Sequence, residues 1–484
     1  MRVPTLRGRQ QLRPSKATVV AGRELACSDN PGSGRLVRWP GRVFAWTAGR
    51  PSREGYALAA VVLVGFGCAL AVGRYQPLAL LAIAMGIGAA SLCVTGSPTR
   101  AQTWTWNLAT FLGALSSGFL YASTPLGWVV PAAAGVGAVV AISAKERLER
   151  CTGALLAGGA SLLLASKSFT WGHAAVDVFT FTQRATLQLL QGRDPYVLSY
   201  PTTTPHLPLA HYFYLPGVLL LSIPGRLLGD VRISDLLAAG ALIAAVVVLA
   251  KRSGGSEQGW RCLALCLAMP FFPLMILYGW TEIYLITGIA LWLVLRDRHR
   301  LGAVLLLGLG VATVPTALPL LLLPFAWWRR PRLEIGTAIL VAIAICLPFA
   351  LWSGPAHFVY SSLLVNVHLP PWPTGLDLDA AFRQLTGTWL PVWVWPTVVA
   401  LTLVVVVRAR RHTWPNAFYL GSVFLLGALV WAKWALFNYY FLAVMGLVLA
   451  MALERVVVDV ETTAEATDHN PAGSPRIASG SAAG

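Results

Sequence analysis

Apolar runs of roughly 15–20 residues recur along this chain from residue 55 to residue 453. Each is near the ~20 residues a helix needs to cross a ~30 Å hydrocarbon core. Lipid offers no water to satisfy backbone N–H and C=O groups, so runs of this kind must be helical. That recurrence excludes most soluble folds. Composition agrees, with 56% hydrophobic and only 12% charged residues, against about 25% charged in soluble domains. The expected fold class is an all-α polytopic membrane protein.

The charge is lopsided, at 37 Lys+Arg against 20 Asp+Glu, for a net +17. In a soluble protein such an excess would point to nucleic acid. Here its distribution argues otherwise. The first 54 residues hold eleven basic and three acidic side chains. Much of the remainder falls in turns between apolar runs, where it reports membrane orientation. Segment 1–54 has no apolar core of a cleavable signal and reads as a basic, disordered cytoplasmic tail. Segment 462–484, rich in Ala, Gly, Ser and Pro, reads as a second disordered tail. Seven scattered cysteines read as small apolar fillers. Cys262 and Cys266 have helical spacing, but no further His or Cys completes a zinc set. Arginine outnumbers lysine 32 to 5, a bias of GC-rich bacterial genomes, so a bacterial plasma membrane is expected.

Charge bias predicts the topology. Four spans come first, at 55–73, 77–95, 104–122 and 127–143, and form an N-terminal block, 55–143. Lys145, Arg147 and Arg150 follow and are assigned to the cytoplasm with the tail. A span at 152–168 leads outward to a long loop, 169–213. Basic clusters at Arg296–Arg300, Arg329–Arg332 and Arg408–Arg411 are also assigned inside. The apolar stretch 301–328, basic at both ends, then reads as two short helices in a hairpin turning near Val314-Pro315. Stretch 213–229 carries Pro216, Pro224, Gly225 and Arg226. Only one crossing is allowed there, so it reads as re-entrant or interfacial and 233–250 as the span. Span 333–352 ends a seven-span block, 150–352. An outer loop, 353–390, and three last spans within 391–453 follow. The expected total is about 14 spans, with the N-terminus inside.

Outer loops of ~40 residues in a compact membrane protein are usually functional. In the first, residues 175–192 show helical periodicity. Asp177, Thr180, Arg184, Gln188 and Gln191 share one face, and Val178, Phe181, Ala185 and Leu189 another. This predicts an amphipathic helix lying in the interface, ended by Gly192. A turn at Asp194-Pro195-Tyr196 comes next, then an aromatic cluster, Tyr212-Phe213-Tyr214, expected at headgroup depth. The second loop holds His368, Trp372 and a predicted short helix with Asp377, Asp379 and Arg383. A third outer feature is the turn Lys433–Asn438. Few carboxylates are placed outside: Asp177, Asp194, Glu282, Asp377 and Asp379, with Asp230 and Asp235 depending on how 213–229 sits. Asp177 lies closest after a span, so neighbouring aromatics can desolvate it and raise its pKa.

Asp177-Val178 leading an amphipathic helix, then Gly192-Arg193-Asp194-Pro195-Tyr196, then an aromatic-Leu-Pro stretch at 212–216, resembles the GT-C superfamily of polyprenyl-phosphate-sugar glycosyltransferases. The chain is most similar to the actinobacterial polyprenol-phosphomannose mannosyltransferases of family 87 and its relatives. The resemblance covers about 150–450 and is most specific over Asp177 through Pro216. It implies a seven-span module with the catalytic loop after the first span, leaving 55–143 as an N-terminal addition. It also implies inverting transfer, with Asp177 as general base, from a polyprenyl-phosphate sugar, most commonly mannose, to a glycolipid or glycan hydroxyl. A phosphate leaving group needs nearby positive charge, for which Lys433 and Arg184 are the candidates and Lys167 a weaker one. Asp194, Tyr196, Tyr214, Glu282 and His368 complete the candidate substrate contacts. Glu282 sits where some members carry a second acid, but no double-acid metal motif surrounds it, so neither a metal nor another cofactor is expected. One departure is Gly308-Leu309-Gly310 leading to Thr313-Val314-Pro315-Thr316, where many relatives have a lysine or another polar residue.

Each candidate has a blander alternative. Asp177 can simply favour a helix N-terminus, Asp194 can form a turn, and Lys433 can snorkel to the interface. Tyr212 and Tyr214 can be belt aromatics. The competing function is a transporter or flippase of a lipid-linked sugar, but the spans are nearly free of mid-span charge, unlike those of transporters. A non-catalytic assembly partner is the third reading, kept open by the four-span addition. No nucleic-acid partner is expected.

Overall fold

A computed structural model describes residues 52–454, apart from 72–75, 95, 98, 121–125, 171–176, 202–208, 315, 317, 366–374, 392, 409–411 and 433–434. At a few positions, Asp177 among them, it describes the backbone alone. The two predicted tails lie outside the described residues, except that Arg53 and Glu54 form the first turn of the first helix and are buried.

Helices occupy the apolar runs. In chain order they are α1 (Arg53–Leu70), α2 (Pro77–Leu92), α3 (Thr103–Ser116), α4 (Leu126–Ser143) and α5 (Arg147–Thr170). The outer-loop helix α6 (Asp177–Leu190) follows, then a two-stranded antiparallel ribbon, β1 (Ser199–Pro201) and β2 (Leu209–His211), with Tyr200 opposite Ala210. Next come α7 (Pro216–Leu227), α8 (Arg232–Ala268), α9 (Phe271–Tyr278), α10 (Glu282–Leu295), α11 (Arg300–Val311), α12 (Leu318–Trp327), α13 (Arg329–Ser353) and α14 (Pro355–Val359). The last four are α15 (Leu378–Thr386), α16 (Val394–Val407), α17 (Trp414–Trp431) and α18 (Phe437–Leu453).

The architecture is that of an all-α membrane protein. Among the described residues, five helices are long and apolar enough to cross a bilayer: α1, α5, α8, α13 and α17. Seven more are apolar but shorter, including α7, α10, α11, α12 and α18. Large apolar side chains such as Leu155, Leu340 and Leu351 stay exposed on α5 and α13. The α7 helix has twelve residues, about 18 Å at 1.5 Å per residue, well under the ~30 Å core.

The core sits around α18, whose side chains from Tyr440 to Ala452 are almost all fully buried. A helix apolar on every side belongs at the centre of a bundle, and α1, α8, α10 and α17 surround this one. The α8 helix is broken at Gly255, where φ is 78° and ψ −173°. Only glycine adopts such a conformation readily, so the polar stretch Lys251–Gln258 separates two apolar limbs. Near the start of α7, Leu215 and Gly217 donate to the carbonyls of Thr313 and Ala312, at the tip of α11. The break in α8 falls just after residue 250, where the span 233–250 was expected to end, whereas the ribbon β1–β2 had no counterpart among the sequence expectations.

Candidate functional site

The α6 helix forms where the periodicity predicts it. Phe181 and Ala185 are fully buried with Leu189 packed beside them, Val178 packs against the main core, and Arg184 is exposed. The helix is fastened along its length by side chains that the sequence did not single out. Gln183 accepts from the Val231 amide at 2.9 Å and donates to the Gly229 carbonyl at 2.8 Å. Through it, α6 is clamped to the turn between α7 and α8. One turn earlier, the Arg232 guanidinium lies 4.3 Å from the Phe179 ring centroid, a cation–π contact. Arg232 also forks onto Asp230, at 2.6 Å and 3.0 Å.

Phe179 brings the first turn of α6 against the junction of α9 and α10. Gly279 has φ 64°, and a Cβ there would lie 3.2 Å from the Phe179 Cβ. Both the backbone conformation and the close approach demand glycine. Three residues on, Glu282 opens α10 and is 2% exposed. Its Oε1 accepts from Asn438 Nδ2 at 2.6 Å, while its Oε2 is buried without a hydrogen-bond partner among the described residues.

Asn438 belongs to the third outer feature, and that turn is tied to the second loop. Leu376 donates to the Ala435 carbonyl at 2.7 Å. Ala435 donates back to Asp377 Oδ2 at 3.1 Å, and Asp377 Oδ1 accepts from the Ala380 amide at 2.7 Å. Asp377 thus caps α15 and anchors it at once. The Tyr440 hydroxyl donates to the Leu376 carbonyl at 2.6 Å. Burial pushes the Asp377 carboxyl up to about 7, against the pull of the backbone donors. Asp379 accepts from the Leu390 amide at 2.8 Å.

The start of α6, the Gly279–Glu282 junction, the Ala435–Asn438 turn and the Asp377 loop therefore meet in one region. Asp177 is the first residue of α6. Its side chain, His368, Trp372, Lys433 and the Lys167 side chain lie outside what the structure describes. Ala435, two residues after Lys433, is in the assembly just traced.

Asp194, Tyr196 and Tyr214 group in the segment that follows α6 and packs back on its Phe181 and Leu189. Asp194 Oδ1 accepts from the Tyr196 amide and from Ser353 Oγ, both at 2.9 Å. That is a turn former with an added tie to α13. The Tyr196 hydroxyl donates to the Tyr214 carbonyl at 2.8 Å, and His357 Nε2 donates to the Tyr196 carbonyl at 2.9 Å. Tyr196 and Tyr212 are fully buried in a cluster with Phe181, Phe349 and Phe358. Burial pushes both phenols well above their ordinary range, so they stay neutral. This cluster braces the loop.

The sequence reading missed Gln183, Arg232, Asn438, Ser353 and His357. Only Arg232 carried a signal, as a charge at the head of an apolar helix and next but one to an acid. Among the described residues, no group of three or more His, Cys, Asp or Glu could hold a metal ion. Compared with known proteins, the chain matches no protein-family model, no curated protein and no solved structure.

Proposed function

We propose that this chain is an integral-membrane inverting glycosyltransferase of the GT-C type. In this reading it moves a sugar, mannose, from a polyprenyl-phosphate donor to a lipid or glycan hydroxyl at the outer face of a bacterial plasma membrane. It would cross that membrane about 14 times, with its N-terminus in the cytoplasm. The observation that carries the proposal is the meeting of the three outer features at one end of α6. The helix that opens on Asp177 is seated by Phe179 against Gly279, and Glu282 is joined through Asn438 to the turn that follows Lys433.

In the proposed reaction Asp177 takes the proton from the acceptor hydroxyl. The freed oxygen attacks the anomeric carbon from the face opposite the phosphate, and the bond to the phosphate oxygen breaks with inversion. Lys433 and Arg184 compensate the charge on the departing polyprenyl phosphate, and no metal is assigned a part. Glu282 fixes the wall of the site through Asn438. Asp194, Tyr196 and Tyr214 hold the loop that carries α6.

The test is transfer from radiolabelled polyprenyl-phosphomannose in membranes containing the wild-type chain or Asp177→Asn. The wild type should label a lipid or glycan. The variant should do so at least about a hundredfold more slowly, the range of a lost general base. Equal rates would remove Asp177 from the role. A transporter is the competing function, and the buried Asp235 of α8, near the Tyr284 hydroxyl, is the feature that favours it. Absence of labelling while a lipid-linked sugar still crosses the bilayer would decide for that function.

A further inference from the structure

The corner where the α4–α5 connection meets the break in α8 encloses a cavity of about 390 Å³. It is lined by Lys145, Arg147, Arg150, Lys251, Ser256 and Trp260. Four cations, from segments about a hundred residues apart, face one hollow. The connection spans only three residues between α4 and α5, which holds Lys145 beside the two arginines. On the other side, Gly255 breaks α8 and presents Lys251 and Ser256 from the two limbs of the bend. Arg100 fixes that bend by donating to the Gly254 carbonyl at 3.0 Å.

Of the four cations at this corner, only Arg150 is compensated by an acid among the described residues. Glu257 is engaged by Arg150 at 2.7 Å and by Arg261 at 3.5 Å. Lys145, Arg147 and Lys251 are exposed, and none has an ion pair among the described residues. Glu146 and Glu149 belong to the same stretch, but Glu146 is not among the lining residues, and Glu149 lines a separate groove between α4 and α5. The basic group at the ends of α10, α11 and α13 is different. There Arg296, Arg300 and Arg330 surround the buried Glu334, and Arg330 also meets Asp297. Charge bias accounts for basic residues on this side of the chain, but not for their gathering around a cavity without acids.

We propose that this corner binds a phosphate-bearing anion. Basic pockets between the ends of membrane helices suit the phosphate of an anionic lipid headgroup. The half-buried Trp260 is an amphipathic side chain of the kind found at the membrane–water boundary. A groove of about 590 Å³ along the same connection, lined by Val139, Val140 and Leu148 among others, offers an apolar surface close by. A soluble phosphate compound would meet the same cations. The site is independent of the glycosyl-transfer reading, since none of its residues belongs to the outer region.

The test is equilibrium binding to the purified full-length protein in neutral detergent, with radiolabelled phosphatidylglycerol and radiolabelled pyrophosphate as separate probes. The double variant Lys145→Gln, Lys251→Gln is compared with the control Arg298→Gln, Arg329→Gln, which removes the same charge from exposed positions elsewhere. At least one probe should bind the wild type and the control alike. The Lys145→Gln, Lys251→Gln protein should bind it about thirtyfold more weakly, a loss expected for two juxtamembrane cations. Loss of phosphatidylglycerol binding that pyrophosphate cannot compete identifies a lipid headgroup. Saturable pyrophosphate binding, lost in the same variant, identifies a soluble phosphate compound. Equal weakening in both double variants, or binding of neither probe to the wild type, would overturn the site.

Discussion

Arg53 carries its charge inside the protein. Its Nη1 donates to Asn416 Oδ1 at 2.8 Å and lies 3.6 Å from Glu454 Oε1, and its side chain is 4% exposed. Tyr419 donates to the other Glu454 oxygen at 2.8 Å. Next to it, Glu54 accepts from the Ala101 amide and from Gln258, both at 2.7 Å. Removing one partner of a buried ion pair leaves the other charge uncompensated and costs about 3–5 kcal/mol. Arg53→Met should therefore lower the thermal midpoint of the detergent-solubilised protein by several degrees. Asp297→Asn is the comparison, because the Asp297 and Arg330 side chains are 72% and 49% exposed where they meet. Exposed pairs contribute about 0–1 kcal/mol, so that variant should change the midpoint little. Equal shifts in differential scanning fluorimetry would mean that the Arg53 network adds no more than a surface pair.

Among the elements, α15 shows how one carboxylate can hold a loop to a bundle. Asp377 is buried, with a pKa of about 7 against an ordinary 3.8, and the like charge of Asp379 adds to the effect of burial. A carboxyl whose folded-state pKa is raised keeps its proton more readily folded than unfolded. Its contribution to stability is therefore complete below about pH 4, declines as pH rises towards 7, and is lost above that. Thermal unfolding from pH 4.5 to pH 8 should show this decline in the wild type and a flatter profile in Asp377→Asn. Parallel profiles would assign the titration to another group. The existence of α15 was legible, since Asp377 stands before a short amphipathic stretch. Its attachment to Ala435 was not, because a backbone amide 58 residues away leaves no trace in local pattern. The same contrast holds in α6. The spacing of Val178, Phe181, Ala185 and Leu189 gave away its buried face, but the Gln183 clamp depends on where Gly229 and Val231 arrive. Tyr212 read as an interface aromatic because sequence reports its amphipathic character, whereas its burial follows from the meeting of α6, α13 and α14 around it.

At the level of the whole molecule, lipid made the helices legible, because every apolar run had to satisfy its backbone internally. It did not make their neighbours legible. By sequence, α1–α4 stood as an addition to a module beginning near residue 150. In the structure, α4 packs along α5 and α8, α3 packs on α8, and α1 lies against α18. Polar ties run through the same interface: Gln258 donates to Glu54 at 2.7 Å, and Arg261 donates to Thr103 at 3.0 Å. A chain shortened to begin at Arg147 would expose those faces of α5, α8 and α18. It would also leave Gln258, Glu454 and Arg261 without the partners supplied by α1 and α3, and buried polar groups without partners cost about 1–3 kcal/mol each. Such a chain should elute as an aggregate in detergent size-exclusion chromatography. Co-expression with residues 1–146 should restore a monodisperse peak, because both sides of the interface are then present. A shortened chain that is monodisperse by itself and unfolds at the full-length temperature would make α1–α4 a detachable unit. The buried contacts from Arg53, Glu54 and Thr103 argue instead that the first four helices are part of the bundle that positions α8, and through Arg232 the first turn of α6.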